Sequence, residues 1–217
     1  REIHKSIDTV LKSGNLILSK ENLSLEKKIA KLTKQKYCLT LNSGTDALMM
    51  SLWASGIKKD DEVITTPLSF VATVNSIIHI GAKPVFVDVG DDLNINPDLI
   101  EKSITKKTKA ILPVHWGGRV CNMDLICKIA KKYNLIIIED AAQAIGAYFK
   151  NKHAGNFGKI SAFSLHPYKN LSGLGDGGFI VTNQKNLYDK IKIYRNHGLH
   201  GYNNIQFSGV NSRLDAL

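Results

Sequence analysis

The run Leu135-Ile136-Ile137-Ile138, closed by Glu139-Asp140, limits what this chain can fold into more than any other stretch. A strand with one wet face alternates apolar and polar residues. An unbroken apolar run ending in carboxylates reads instead as a strand buried on both faces, of the parallel-sheet kind. Asp140 then falls at the carboxyl end of the strand, where open α/β sheets hold their ligands. Its plainer reading is the N-cap of a helix beginning just after it.

The rest of the chain suits such a sheet. Strands are predicted over residues 37–41, 62–65, 84–87, 110–114, 136–138, 160–163 and 179–182, with 84–87 expected to be buried. Helices are predicted over 3–12, 23–33, 45–55, 70–80, 97–104, 123–133 and 187–194. Gly56 and Gly81 close two of them, and Asn96 with Pro97 opens a third. The start of the 23–33 helix stays open, because Ser24 with Lys27 lacks the acidic partner of a capping box. Strand and helix alternating with short loops mark a mostly parallel, three-layer α/β/α domain with right-handed crossovers. Residues 198–211 are polar and Gly-rich, a long loop of the kind that is usually functional.

Two further stretches carry chemistry. Phe163-Ser164-Leu165-His166-Pro167-Tyr168-Lys169-Asn170 puts Lys169 after a short strand and before the glycines of Gly173-Leu-Gly-Asp-Gly-Gly178. A lysine with a fixed base and small neighbours can reach a flat, buried cofactor; the bland alternative is a surface loop lysine. Asn42-Ser43-Gly44-Thr45-Asp46 follows a strand and opens a helix. The amides of Thr45 and Asp46 are expected there as a phosphate site, against the common alternative of an ordinary cap. A lysine for a Schiff base, a carboxylate for a protonated ring nitrogen and an anion site are what pyridoxal phosphate requires.

In this order the pieces resemble the DegT/DnrJ family of PLP-dependent sugar aminotransferases, of the aspartate-aminotransferase fold. The resemblance is carried by residues 42–48, 61–67, 69–75, 84–88, 139–143, 163–171, 175–178, 195–198 and 211–217, nearly the length of the chain. It implies the PLP-transferase large domain. It implies Lys169 as the catalytic, cofactor-bound lysine and Asp140 at the ring nitrogen, with Gln143 near the ring hydroxyl. Gly44, Thr45 and Ser164 would take the phosphate. Phe70 would stack on the ring, with core packing of a helix as its alternative. Asn211 would reach the phosphate of a neighbouring subunit, so that a homodimer shares its sites and residues 199–212 form an exchange loop. Dehydratase members of the family carry histidine where this chain has Lys169, which favours amino transfer. His166 is left outside the site, and Asp176 is expected to hold the Lys169 loop by side-chain bonds to backbone.

The implied reaction moves an amino group, from glutamate, to a keto-sugar, usually nucleotide-linked. The alternatives are a free ulosonic acid as acceptor, or a non-catalytic regulatory member of the fold. The resemblance also implies that residues 1–217 are the large domain, incomplete at both ends, without the C-terminal small domain. The chain opens without Met or an apolar leader and closes at Leu217 in what reads as a helix start.

Composition narrows the rest. The formal net charge is +10, but the lysines are scattered in pairs such as Lys58-Lys59 and Lys131-Lys132, without interleaved aromatics. That suits a solvated surface better than nucleic-acid binding. Three cysteines without Cys-x-x-Cys spacing suit a reducing cytoplasm. Seven histidines without His-Glu-x-x-His leave no metal expected. Gly173-x-Gly175-x-x-Gly178 formally fits a dinucleotide fingerprint, but those glycines precede a strand rather than opening a helix. No apolar run reaches the ~20 residues that span a bilayer.

Overall fold

A computed structural model describes all 217 residues. In chain order the elements are α1 (Glu2–Ser13), α2 (Lys20–Thr33), β1 (Tyr37–Leu41), α3 (Gly44–Ala54), β2 (Glu62–Thr65), α4 (Val71–His79), β3 (Lys83–Phe86) and α5 (Pro97–Ile100). Next come β4 (Thr108–Ile111), α6 (Met123–Tyr133), β5 (Ile136–Asp140), the short hairpin β6 (Tyr148–Phe149) and β7 (Lys152–His153), β8 (Ile160–Ser164), β9 (Gly178–Thr182) and α7 (Lys185–Tyr194).

Seven strands form one sheet in the order β1-β9-β8-β5-β4-β2-β3. From β3 to β8 every pairing is parallel. The glycine run then reverses the chain, so β9 is antiparallel to both β8 and β1. The run 136–140 lies mid-sheet, and the pleat sends Ile137 to one core and Ile138 to the other. Ile64, Ile111, Phe163 and Val181 join Ile137, facing α6; Val63, Ala110, Ala162 and Ile180 join Ile138, facing α3. Two cores on one sheet are what make this strand apolar throughout.

A buried ion pair fastens the antiparallel side. Arg195, just past α7, meets Glu26 of α2 at 3.1 Å, both nearly solvent-free. Glu26 Oε1 also accepts from Thr40 N and Thr40 Oγ1 of β1, each at 2.9 Å. Arg195 donates in turn to the Thr40 carbonyl.

Several expectations change. Residues 83–86 form an edge strand rather than a buried one: Lys83 is exposed and Phe86 is 50% exposed. Pro84 suits an edge, where no N–H is needed on the outer side. Helix α2 starts earlier than Leu23, because Ser19 Oγ accepts from Glu21 N and Asn22 Oδ1 accepts from Ser19 N. The helix predicted over 97–104 is one α-turn followed by a 3₁₀ turn, Glu101–Ser103. Strand β4 ends at Ile111, since Pro113 has no N–H to continue a ladder. No helix begins at 213–217; Asp215 bridges Ile17, and Ala216 N donates to Leu16 O.

Candidate active site

The carboxyl ends of β5 and β8, the start of α3 and the start of α4 enclose one cavity of about 470 Å³. Lys169, Asp140, Gln143, Ser164, Gly44, Thr45 and Phe70 all line it. Asn211 does not: it is exposed, and its backbone forms an isolated bridge with Asn196. Seven of the eight residues singled out in the sequence are thus brought together.

Asp140 is 4% exposed and held at every polar atom. Its N donates to Pro113 O and its O accepts from His115 N, both at 3.0 Å. Oδ1 accepts from Ala142 N at 3.2 Å, and Oδ2 from Thr73 Oγ1 at 2.7 Å. Burial pushes its carboxyl above the ordinary value, opposed by Thr73, Ala142 N, His115 and Lys169. A desolvated carboxylate with lone pairs still free attracts a cationic partner in the same cavity.

At α3 the cap differs in detail from expectation. Ser43 Oγ accepts from Asp46 N at 3.1 Å, and Ser43 O takes Ala47 N. The amides left without an intrahelical acceptor are therefore those of Gly44 and Thr45, not Thr45 and Asp46. Gly44 lies against Ser164: a Cβ there would stand 2.8 Å from Ser164 Cβ. Ser164 Oγ accepts from His166 N at 3.2 Å and keeps its own proton to donate.

Phe70 precedes α4 as its N-cap residue and is 67% exposed, so it packs into no core. Gln143 Oε1 accepts from Gly117 N at 3.0 Å, which leaves the amide Nε2 for the cavity. Lys169 is half-buried on the loop between β8 and β9. Leu165 N to Gly177 O, Gly173 N to Leu165 O and Asn170 Nδ2 to Ile145 O hold that loop. Asp176 makes no side-chain bond there; it is exposed and faces the cavity instead. His166 Nδ1 accepts from Tyr168 N while its ring also lines the cavity.

Sequence reasoning missed Thr73 and the layer beneath Asp140; the ordinary cap weighed at the start of α3 is Ser43. Glu139 is fully buried and accepts from Phe157 N (2.7 Å), Gly158 N (2.6 Å), Gly155 N (2.7 Å), Ser161 Oγ (3.0 Å) and His115 Nε2 (3.0 Å). Burial alone would raise its carboxyl, but His115 and the amides outweigh that and hold it below the ordinary value. Thr73 carried a readable signal in hindsight: it lies three residues after Phe70, one turn along the same helix face.

The chain matches the DegT/DnrJ/EryC1/StrS aminotransferase family over residues 1–217. It is 43% identical to the pleiotropic regulatory protein of Geobacillus stearothermophilus, over 100% of this chain and 58% of that protein. To the UDP-2-acetamido-2-deoxy-3-oxo-D-glucuronate aminotransferase of Pseudomonas aeruginosa it is 42% identical, over 100% and 60%. Among solved structures, S. venezuelae DesV in complex with a ketimine intermediate superposes with a TM-score of 0.96 at 37% identity, over 99% of this chain and 58% of that one. Bacillus subtilis NtdA with bound cofactor PMP gives 0.93 at 35%, over 99% and 49%. The chain thus spans about half to three fifths of the length of these relatives. It belongs to the DegT/DnrJ/EryC1/StrS aminotransferase family.

Proposed function

We propose that the protein carrying this chain is an aminotransferase that moves an amino group from L-glutamate to a keto-sugar linked to a nucleotide. The observation that carries this reading is the convergence of Lys169, Asp140 and the free amides of Gly44 and Thr45 on one cavity. Relatives named for UDP- and dTDP-linked amino sugars support the acceptor class. A spore coat polysaccharide biosynthesis protein at 40% identity supports a role in surface polysaccharide.

The residues fit the cofactor. A cavity of about 470 Å³ holds a small ligand. A helix start with two free amides and a close-packed glycine suits a phosphate. The desolvated Asp140 suits a pyridinium nitrogen. When bound, the cofactor supplies an aldehyde carbon that takes the amino group and a ring that accepts electrons.

The chain's own groups do the remainder. Gly44 N, Thr45 N and Ser164 Oγ donate to the phosphate. Asp140 keeps the ring nitrogen protonated. Lys169 Nζ would hold the cofactor through its aldehyde carbon, and its amine would be the group in the cavity able to take up and return a proton. Gln143 Nε2 would be the donor for the ring hydroxyl, and Phe70 would cover the ring face. Residues 1–217 form the cofactor-binding large domain. Asn211 lies outside its own cavity on a loop with Tyr202 94% exposed, so it is assigned to the phosphate of a second copy in a homodimer.

The test is the absorption spectrum of the protein with PLP, before and after L-glutamate. A visible band that glutamate bleaches, and that a nucleotide-linked keto-sugar restores, is expected. A band restored only by a free ulosonic acid would change the acceptor class. The name of the Geobacillus relative supports a second, regulatory reading; a band that glutamate leaves untouched would favour it.

A further inference from the structure

We propose that Thr73 is a positioning residue: its hydroxyl, fixed in direction by Ser69, holds the Asp140 carboxylate turned to the cavity and ready for the cofactor's ring nitrogen. The inference rests on the PLP reading and goes beyond it by assigning a role on α4.

Three of the four bonds to Asp140 are local to β5 and the segment after β4. Only Thr73 Oγ1 reaches across, from α4, to Oδ2 at 2.7 Å. Thr73 is 1% exposed, so water cannot replace this bond. A hydroxyl has one proton, and Thr73 gives its own to Asp140. In the Ser69–Thr73 contact of 2.7 Å, Ser69 Oγ is therefore the donor. The relay runs from Ser69 through Thr73 to Asp140 and offers protons in one direction only. A relay that donates into a carboxylate favours its charged form.

This matters because burial drives Asp140 the other way. The ionisable groups facing Asp140 are His115 and Cys121 from the segment after β4 and Lys169 from the β8–β9 loop. Glu139, its neighbour on β5, projects to the opposite side of the strand, where Phe157, Gly158 and Gly155 hold it. Thr73 is the only neutral side chain that donates to Asp140. It also ties Asp140 to the helix whose start carries Ser69 and Phe70 into the same cavity.

The experiment titrates PLP labelled with ¹⁵N in the ring into the purified protein and its Thr73→Val, Thr73→Ser and Ser69→Ala variants. It reads the dissociation constant by absorbance and ring-nitrogen protonation by ¹⁵N shift against pH. Thr73→Val keeps the shape and loses the donor. It is expected to bind about tenfold more weakly, roughly 1.4 kcal/mol, and its ring nitrogen should lose its proton at lower pH than in wild type. Thr73→Ser should restore both readouts to within about twofold, a rescue a purely packing role would not give. Wild-type affinity and an unmoved ¹⁵N titration in Thr73→Val would overturn the proposal. Should Thr73→Val fail to fold, Ser69→Ala decides, since it removes the donation into Thr73 and leaves the Thr73–Asp140 pair itself in place; an unmoved titration there overturns it equally. A wild type that binds no PLP overturns the aminotransferase reading instead.

Discussion

Gly178→Ala tests how the sheet fixes the anion site. Gly178 opens β9 and is paired on both sides, with Leu41 of β1 and Ser164 of β8. A Cβ there would stand 2.4 Å from Ser43 C and O and 2.5 Å from Gly44 N. Ordinary contact begins at 3.4 Å, so the Ser43–Gly44 peptide must retreat by at least 3.4 − 2.4 = 1.0 Å. Strand β9 cannot retreat instead, being laddered to both neighbours. Overpacking of this kind costs about 1–3 kcal/mol of stability. A retreat of that size takes an amide from about 2.9 Å out of hydrogen-bond range. Losing one bond to a charged phosphate costs about 1.5–3 kcal/mol, or ~10- to 150-fold in affinity. The assays are a PLP titration and urea unfolding of the apoprotein. Gly175→Ala, with nothing within 4 Å of its Cβ, is the matched control and should move neither. Binding within twofold of wild type in Gly178→Ala, with residues 43–45 unmoved in a crystal structure, would show that the sheet does not set the position of these amides.

The buried groups give further expected outcomes. Arg195→Met leaves Glu26 buried without its cation and should lose about 3–5 kcal/mol in urea unfolding, most of it recovered in Arg195→Met/Glu26→Leu. Glu139 binds its proton less readily folded than unfolded, so its stabilisation is fully present above the unfolded value near 4.5 and is lost as pH falls below that through the lower folded value; Glu139→Gln should flatten the acid limb of stability against pH. Asp140 has the opposite sign, raised by burial in the fold. Asp140→Asn should therefore leave the apoprotein at least as stable at pH 7 while weakening PLP binding, and equal loss of both would contradict this. Phe70→Ala, at an exposed position, should change stability by under about 0.5 kcal/mol yet weaken PLP binding a few-fold through lost stacking.

Much of this molecule is legible in its sequence, and the limits have physical causes. The boundaries of β1 and α6 and the existence of β5 follow from local apolar pattern, which reports burial directly. The same pattern misplaces β3, because Val85 and Phe86 look alike whether a neighbouring strand covers them or not. The reversal of β9 is set by where the glycine run turns, and hydrophobicity does not record direction. At the site, Lys169, Asp140 and the Gly44–Thr45 turn lie beside strand ends, where residue type and position mark them, whereas Phe70, Gln143 and Ser164 are marked by the family resemblance alone. Their supports could not be found so. Thr73 reaches Asp140 across 67 residues, and Glu139 is held by backbone amides of Gly155, Phe157 and Gly158, which any residue except proline carries. Asn211 lies outside the cavity of its own chain, a placement that the motif at 211–217 does not record.

Everything proposed for this site requires that Lys169, alone among many lysines, holds the cofactor. Borohydride reduction of the protein with PLP, followed by proteolysis and mass spectrometry, tests this requirement. A phosphopyridoxyl group is expected on the peptide that contains Lys169, stoichiometric with protein and absent from Lys169→Ala. Label spread over surface lysines such as Lys58 and Lys131, or retained in Lys169→Ala, would contradict it.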